Sequence, residues 1–213
     1  MLTPESCDLF RQPFFQFAQL KQHCPERIPQ IKADYRAAWL VWQALIREVS
    51  AGLGMPFAEP HIERWCNGWQ VRAHFFAYFK YAQHRDSAAI FSVLLNRRRL
   101  SVSLDWHSHK AAASMLTLAQ YRRWTSALPV FCRRPEHAGF EVWRGSDSEY
   151  ADHPDLAQYL AAASAEPDGA DFLRIGRHLE RAALQQTKSA PWIIESIRAL
   201  QPLYEACYTA EDG

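Results

Sequence analysis

The stretch Asn67-Gly-Trp-Gln-Val-Arg-Ala-His-Phe-Phe-Ala-Tyr-Phe-Lys-Tyr81 switches the chain from a helical period to a period of two, and the fold is read outward from it. Asn67-Gly68 between two alternating segments is the strongest short hairpin signal. Past the turn, the odd positions Trp69, Val71, Ala73, Phe75, Ala77, Phe79 and Tyr81 form an apolar face. The even positions Gln70, Arg72, His74, Phe76, Tyr78 and Lys80 form a polar and aromatic one. With Asn67-Gly68 as a two-residue loop, Cys66 opposes Trp69, Glu63 opposes Arg72, and His61 opposes His74.

Downstream, Gln83 to Ser87 read as a turn. Ala88 to Asn96 are apolar on both faces, as in a central strand. Arg99 to His107 alternate again, with Leu100, Val102, Leu104 and Trp106 on one face and Ser101, Ser103, Asp105 and His107 on the other. A three-residue loop, Arg97–Arg99, puts Ile90 opposite Trp106, whereas a two-residue loop puts Ile90 against Asp105. The longer loop aligns the apolar faces and is the expected one.

Upstream, Thr3-Pro4-Glu5 reads as a cap, a first-turn proline and a first-turn acid. From Ile28, the residues Ile31, Tyr35, Ala38, Trp39, Trp42, Leu45, Ile46 and Val49 step by three and four to Gly52 and Gly54, a helix and its stop. After His107, Ser108 is placed to cap a helix over 109–127, and Gly139 to Arg144 read as a short strand. Asp152 to Ala165 read as a helix, followed by the turn Glu166-Pro-Asp-Gly. Phe172 to Leu179 read as a last strand in which Gly176 marks a bulge or close approach, running into a helix near 180–186. Ser189-Ala-Pro191 opens a C-terminal helix that Pro202 is expected to kink or break. The class is α+β, in one domain over 1–213. Residues 1–54 are helical, 61–107 strand-rich, and 108–213 mostly helical with one or two short strands. The expected architecture is an antiparallel meander of about four to six strands with N- and C-terminal helices packed on it.

Composition excludes several classes. The 213 residues are 48% hydrophobic and 13% aromatic, with a net charge of +1, which rules out a disordered chain. No apolar run is long enough to span a bilayer, and residues 1–10 lack a signal-peptide core. Five cysteines are scattered singly, as free thiols in a reducing cytoplasm would be. A soluble, cytoplasmic protein is expected. Charge is unevenly spread: residues 61–124 hold ten basic and three acidic side chains, and residues 125–213 hold eight basic and fourteen acidic. Either the middle segment meets an anionic partner, or the acidic C-terminal part folds back and neutralises it.

The stretches 67–81 and Leu95–His107, together with Phe172-Leu-Arg-Ile-Gly-Arg177 and Gln201-Pro-Leu-Tyr204, resemble a small family of uncharacterised bacterial proteins of similar length. The resemblance covers most of the chain. That family carries a glucose-6-phosphate dehydrogenase label, which these residues do not support. A nicotinamide enzyme opens with strand, Gly-x-Gly-x-x-Gly and helix, and no such glycine spacing occurs here in that context. The resemblance brings no motif of known chemistry, so it assigns no catalytic residue.

Three groups of side chains carry candidate chemistry. Asp105, His107 and His109 share one face at a strand end, and a carboxylate with imidazoles at that spacing suits a divalent metal. His61 and His74, if opposed, extend the metal candidates, and His74, Asp105 and His107 are the catalytic candidates for a small metal-assisted hydrolase. As alternatives, these histidines are surface residues of a sheet, and Ser108-His109 simply begins a helix. Arg97, Arg98 and Arg99 put three guanidinium groups at a hairpin tip, suited to phosphate contact. With Arg72, Tyr78 and Lys80 on the sheet face they form the candidate ligand-binding set. The favoured expectation is a binding or interaction protein for an anionic ligand, nucleic acid or protein, with no membrane partner. The Trp-rich helix at 28–51 is an alternative docking face. No cofactor is expected beyond a candidate divalent metal.

Overall fold

The computed structural model describes residues 1–162 and 171–209. Three helices open the chain: α1 (Pro4–Asp8), α2 (Phe17–His23) and α3 (Ile28–Leu53). Thr3 and Ser6 close a reciprocal cap on α1. The expected stripe of α3 is its buried face, carrying Ile31, Tyr35, Trp42, Leu45, Ile46 and Val49, and Gly54 ends it at φ +64°.

Six strands follow: β1 (His61–Ile62), β2 (Phe75–Phe79), β3 (Ala89–Leu95), β4 (Arg99–Trp106), β5 (Phe140–Arg144) and β6 (Leu173–Glu180). They form one antiparallel sheet in the order β1-β2-β3-β4-β6-β5. The expected α+β class is therefore correct. The meander holds for four strands and then breaks, because β6 takes the place beside β4 and leaves β5 at the edge.

Two registers differ from expectation. Asn96 N–H bonds the Arg99 carbonyl (3.1 Å) and Ile90 faces Asp105, so the β3–β4 loop is Arg97-Arg98, two residues rather than three. Asn96 Oδ1 accepts from the N–H groups of Arg98 (2.8 Å) and Arg99 (3.0 Å), which closes the turn without glycine. The faces still match, since Phe91, Val93 and Leu95 meet Leu104, Val102 and Leu100, and all six are buried.

The Asn-Gly hairpin is displaced too. Asn67 N–H bonds Gln70 O, Cys66 pairs with Val71 rather than Trp69, and Gly68, at φ +92°, sits inside the loop. Strand β2 starts only at Phe75. A two-residue offset between Arg72 and Phe76 brings His61 opposite Tyr78, not His74. The expected Glu63–Arg72 pair does form, at 2.9 Å.

The single helix expected over 109–127 is a 3₁₀ segment (Ser108–Ala113), α4 (Leu118–Arg122) and a second 3₁₀ segment (Arg123–Ala127), followed by α5 (Leu128–Phe131). Ser114 Oγ accepts from Ala88 N–H, and Met115 N–H bonds Asp86 O (2.8 Å). These bonds hold the chain extended there. Thr117 and Gln120 then cap α4 afresh. The helix expected over 152–165 begins at α6 (Leu156–Ala161), capped by Asp155. It ends at Ala161 with Ala162 as its C-cap; residues 163–165 and the turn at 166–169 lie outside the described residues. The last helix, α7 (Ser189–Ala206), runs through Pro202 rather than breaking. Proline removes one intrahelical donor, and buried Leu200, Leu203 and Tyr204 pin the helix on both sides of it.

Helices α3 and α7 pack on each other, and α7 lies across β3 and β4. Ile193, Ile197, Leu200 and Tyr204 of α7 bury against Phe91, Val102 and Leu104, each such apolar side chain contributing about 1.5–3 kcal/mol. Helices thus cover one face of the sheet. The other face carries the even positions of β2 and β3.

Candidate ligand cleft on the open sheet face

The open face forms a cleft of about 390 Å³. Its floor is low at the centre for a sequence reason. Tyr78, Ser92, Ser103, Gly176 and Glu141 are successive cross-strand neighbours on β2, β3, β4, β6 and β5. Three small residues thus lie between two large ones. Ser92 Oγ and Ser103 Oγ are hydrogen-bonded at 2.7 Å. Glycine at 176 is required, because a Cβ there would stand 2.3 Å from the Val102 carbonyl oxygen and 2.6 Å from Ser103 Cβ.

Next to this row, Ser101 on β4 faces His178 on β6, with Ser101 Oγ 2.8 Å from His178 Nδ1. His178 Nε2 lies 3.3 Å from Glu141 Oε2. On the other side, Arg174 Nε donates to Asp105 Oδ1 at 2.7 Å. Burial alone would weaken the charge on Arg174, but the Asp105 carboxylate outweighs it and holds the guanidinium above its ordinary pKa.

The segment between β5 and α6 walls the cleft. Arg99 is 2% exposed, and its guanidinium donates to the carbonyls of Glu149 (3.2 Å) and Ala151 (2.6 Å). His74 Nδ1 pairs with Glu149 Oε2 at 3.2 Å. Burial pushes the Glu149 carboxyl up, yet His74 and neighbouring donors reverse this and hold it below the usual carboxylate value. His153 stacks on Trp143 at 4.9 Å, and burial, then Arg99, depresses its imidazole pKa. Arg72 Nε, Arg99 Nε and His153 Nε2 are buried with no acceptor among the described residues.

The expected site residues separate into three places. Arg72, His74, Arg99, Asp105, His107 and His109 line this cleft. His61, Tyr78 and Lys80 line a second recess of about 410 Å³, where Lys110 Nζ donates to Tyr78 OH at 2.6 Å. Burial, and then Lys110, brings the Lys80 ammonium down to a pKa of about 8. Arg97 and Arg98 line a third, at the hairpin tip.

The metal candidates do not come together as one set. No group of three or more His, Cys, Asp or Glu side chains among the described residues is placed to hold an ion. Asp105 is held by Arg174, His74 by Glu149, and His61 stacks on Tyr78 at 4.8 Å. His107 and His109 approach each other only to 6.1 Å between ring centres. The hairpin-tip arginines are also partly committed. Arg98 pairs with Asp152 and with Glu180 (3.6 Å), while exposed Arg97 lies over the Tyr150 ring at 4.5 Å. Side chains of the acidic C-terminal part therefore fold back on the basic middle segment.

A protein-family model matches residues 2–207. The chain belongs to this family of uncharacterised bacterial proteins. It is 51% identical over 207 residues to an uncharacterized protein of Haemophilus influenzae, a match covering 97% of this chain and 98% of that one. No dehydrogenase is named in either comparison. Every strand pair in this family member is antiparallel, so the described residues hold no parallel βαβ unit for a dinucleotide. No described helix is long and apolar enough to cross a membrane.

Sequence reasoning put Ser101, Ser103 and Asp105 on one strand face and marked Gly176 as a close approach. It did not find Glu141, Glu149, His153, Arg174 or His178 as members of the same site. The alternation Arg174-x-Gly176-x-His178 in the last strand was the available signal for two of them. Glu149 and His153 sit in irregular chain with no local signature.

Proposed function

We propose that the protein binds a small anionic molecule, carrying a carboxylate or phosphate-like group, in the open-face cleft. One observation carries this reading. Arg99 is almost wholly buried beside the cleft, and its Nε donor has no acceptor among the described residues. Buried donors are normally satisfied, and an unsatisfied charged one is costly unless something else fills the role. Arg72 Nε supplies a further donor at the same walls, and His153 Nε2 a buried ring nitrogen with no partner among the described residues. A small ligand fits better than nucleic acid, because Tyr78 is 6% exposed and offers no open stacking surface.

The test is a thermal-shift titration with inorganic phosphate and a panel of mono- and dicarboxylates. A saturable rise in Tm with at least one anion, lost in Arg99→Gln and kept in Arg97→Ser, is expected. A rise kept in Arg99→Gln and lost in Arg97→Ser would place the site at the hairpin tip instead.

A further inference from the structure

The geometry points to an esterase-type activity in the same cleft, with Ser101 as nucleophile, His178 as its base and Glu141 as the group that orients the base. It rests on the cleft reading in that the substrate must enter the cleft and that its acidic substituent is the anion proposed to bind there. Three adjacent strands supply the three side chains: β4 gives Ser101, β6 gives His178 and β5 gives Glu141. All point to the open face. Ser101 remains partly exposed, whereas the His178 side chain is 6% exposed, so solvent and substrate meet the hydroxyl rather than the base.

Glu141 decides the tautomer. A carboxylate 3.3 Å from Nε2 favours the hydrogen on that nitrogen, which leaves Nδ1 as an acceptor. Ser101 Oγ–H, at 2.8 Å, then donates to Nδ1. This is the nucleophile, base and orienting-acid arrangement with the two ring nitrogens exchanged, and such sites are recognised by geometry and role rather than by chain order. The Nε2–Oε2 approach is a charge contact rather than a hydrogen bond, and neither atom has a hydrogen-bond partner among the described residues.

The substrate class is a small carboxylic ester with an acidic substituent. Ser101 Oγ attacks the ester carbonyl carbon while its proton passes to His178 Nδ1. The tetrahedral oxyanion forms beside Arg99, two residues back on the same strand face, whose Nε is a free donor. The C–O bond to the alcohol breaks, and the leaving alkoxide takes the proton from Nδ1. Water then attacks the acyl-serine and gives a proton to Nδ1. As the acid leaves, that proton returns to Ser101 Oγ. The net reaction is ester plus water to acid plus alcohol, with no other reagent.

The experiment is labelling of the full chain with a fluorophosphonate probe and peptide mapping, beside hydrolysis of p-nitrophenyl acetate. Expected are one label per chain on Ser101 and no label in Ser101→Ala. Ser126→Ala, at an exposed serine outside the cleft, should keep its label. His178→Phe should lower hydrolysis by about 10²–10⁴-fold, the usual contribution of a positioned base. Glu141→Gln should also shift the pH profile of hydrolysis, which a merely structural role would not do. Where Ser101→Ala fails to fold, Ser101→Cys keeps the shape, and alkylation of that thiol by iodoacetamide, mapped against the native cysteines, reads the same activation. A folded wild type that takes no label, or a label that persists in Ser101→Ala, overturns the assignment. Phosphate binding without labelling would sink the nucleophile alone, and labelling without phosphate binding would sink the anion reading and the acidic substituent of the substrate but not the nucleophile.

Discussion

Arg174 reaches across from β6 to place its Nε 2.7 Å from Asp105 Oδ1, joining the two strands at the His107 end of the cleft. Asp105 Oδ1 also accepts from the Trp106 N–H at 2.7 Å. The carboxylate, one of the metal candidates of the sequence, is held by an arginine. Replacing Arg174 by Met leaves a largely buried carboxylate without its counter-charge. Breaking a buried pair from one side costs about 3–5 kcal/mol. With Arg174 partly exposed, about 2–3 kcal/mol is expected, read as a lower urea midpoint at unchanged slope.

Gly176→Ala should destabilise more than its single methyl suggests. The new Cβ would press on the Val102 carbonyl and Ser103 Cβ, backbone and strand core rather than a flexible tip. Overpacking of this kind costs about 1–3 kcal/mol, and the rigid neighbours put this case at the upper end. Loss of Tm by several degrees, with weaker binding in the cleft, is the expected readout. A neutral substitution would mean that β4 and β6 do not approach as described.

The three hairpin arginines should be sharply unequal. Arg97→Ser removes an exposed cation over Tyr150 and should change stability by less than about 0.5 kcal/mol. Arg98→Ser loses contacts to Asp152, Glu180 and the Tyr150 carbonyl, for about 1 kcal/mol. Arg99→Ser strands two carbonyls and opens a cavity, for about 2–4 kcal/mol. Denaturation of the three single variants checks the order.

Acid should weaken the fold. His61, His84, His107 and His153 all have imidazole pKa values held below 6.5. Burial is the first cause in each, and Lys110 (for His61 and His107) or Arg99 (for His153) adds to it. The unfolded chain therefore takes up protons at these sites before the folded one does. The histidine contribution to stability should be complete near pH 7.5 and fall as pH drops through 6.5 and on toward the folded values. Each extra proton bound by the unfolded state contributes up to about 1.4 kcal/mol per pH unit. Glu149, held below 4.5, adds a further loss at lower pH, in the same direction. Urea midpoints measured across that range would read the slope, and a rise in stability on acidification would contradict it.

Much of the fold was legible because period and cap chemistry are local. The stripe of α3, the alternation Leu100 to Trp106 and the reading of Gly176 all came from residues within a few positions of one another. The registers were not legible to the same degree. Asn96 closes its turn with a side-chain oxygen rather than with glycine, and the extra residues between Arg72 and Phe76 only show once β1 is paired. The site was half legible. Serines and Asp105 on one face of β4 could be read, but their partners arrive from β5, β6 and the chain after β5, and no spacing rule links Ser101 to His178 or Arg99 to Glu149. The charge split was read correctly as a question. Glu149, Asp152 and Glu180 answer it by folding onto His74, Arg98 and Arg99.

The most direct test of the anion-binding cleft is an NMR titration of the histidine ring signals with inorganic phosphate. Binding at a millimolar Kd, about 4 kcal/mol, is enough to be read. The expected result is a saturable shift of His153, lost in Arg99→Gln and unchanged in Arg97→Ser. No saturable shift of the His153 ring in the folded wild type, or one that survives Arg99→Gln, would contradict the assignment of this cleft as the binding site.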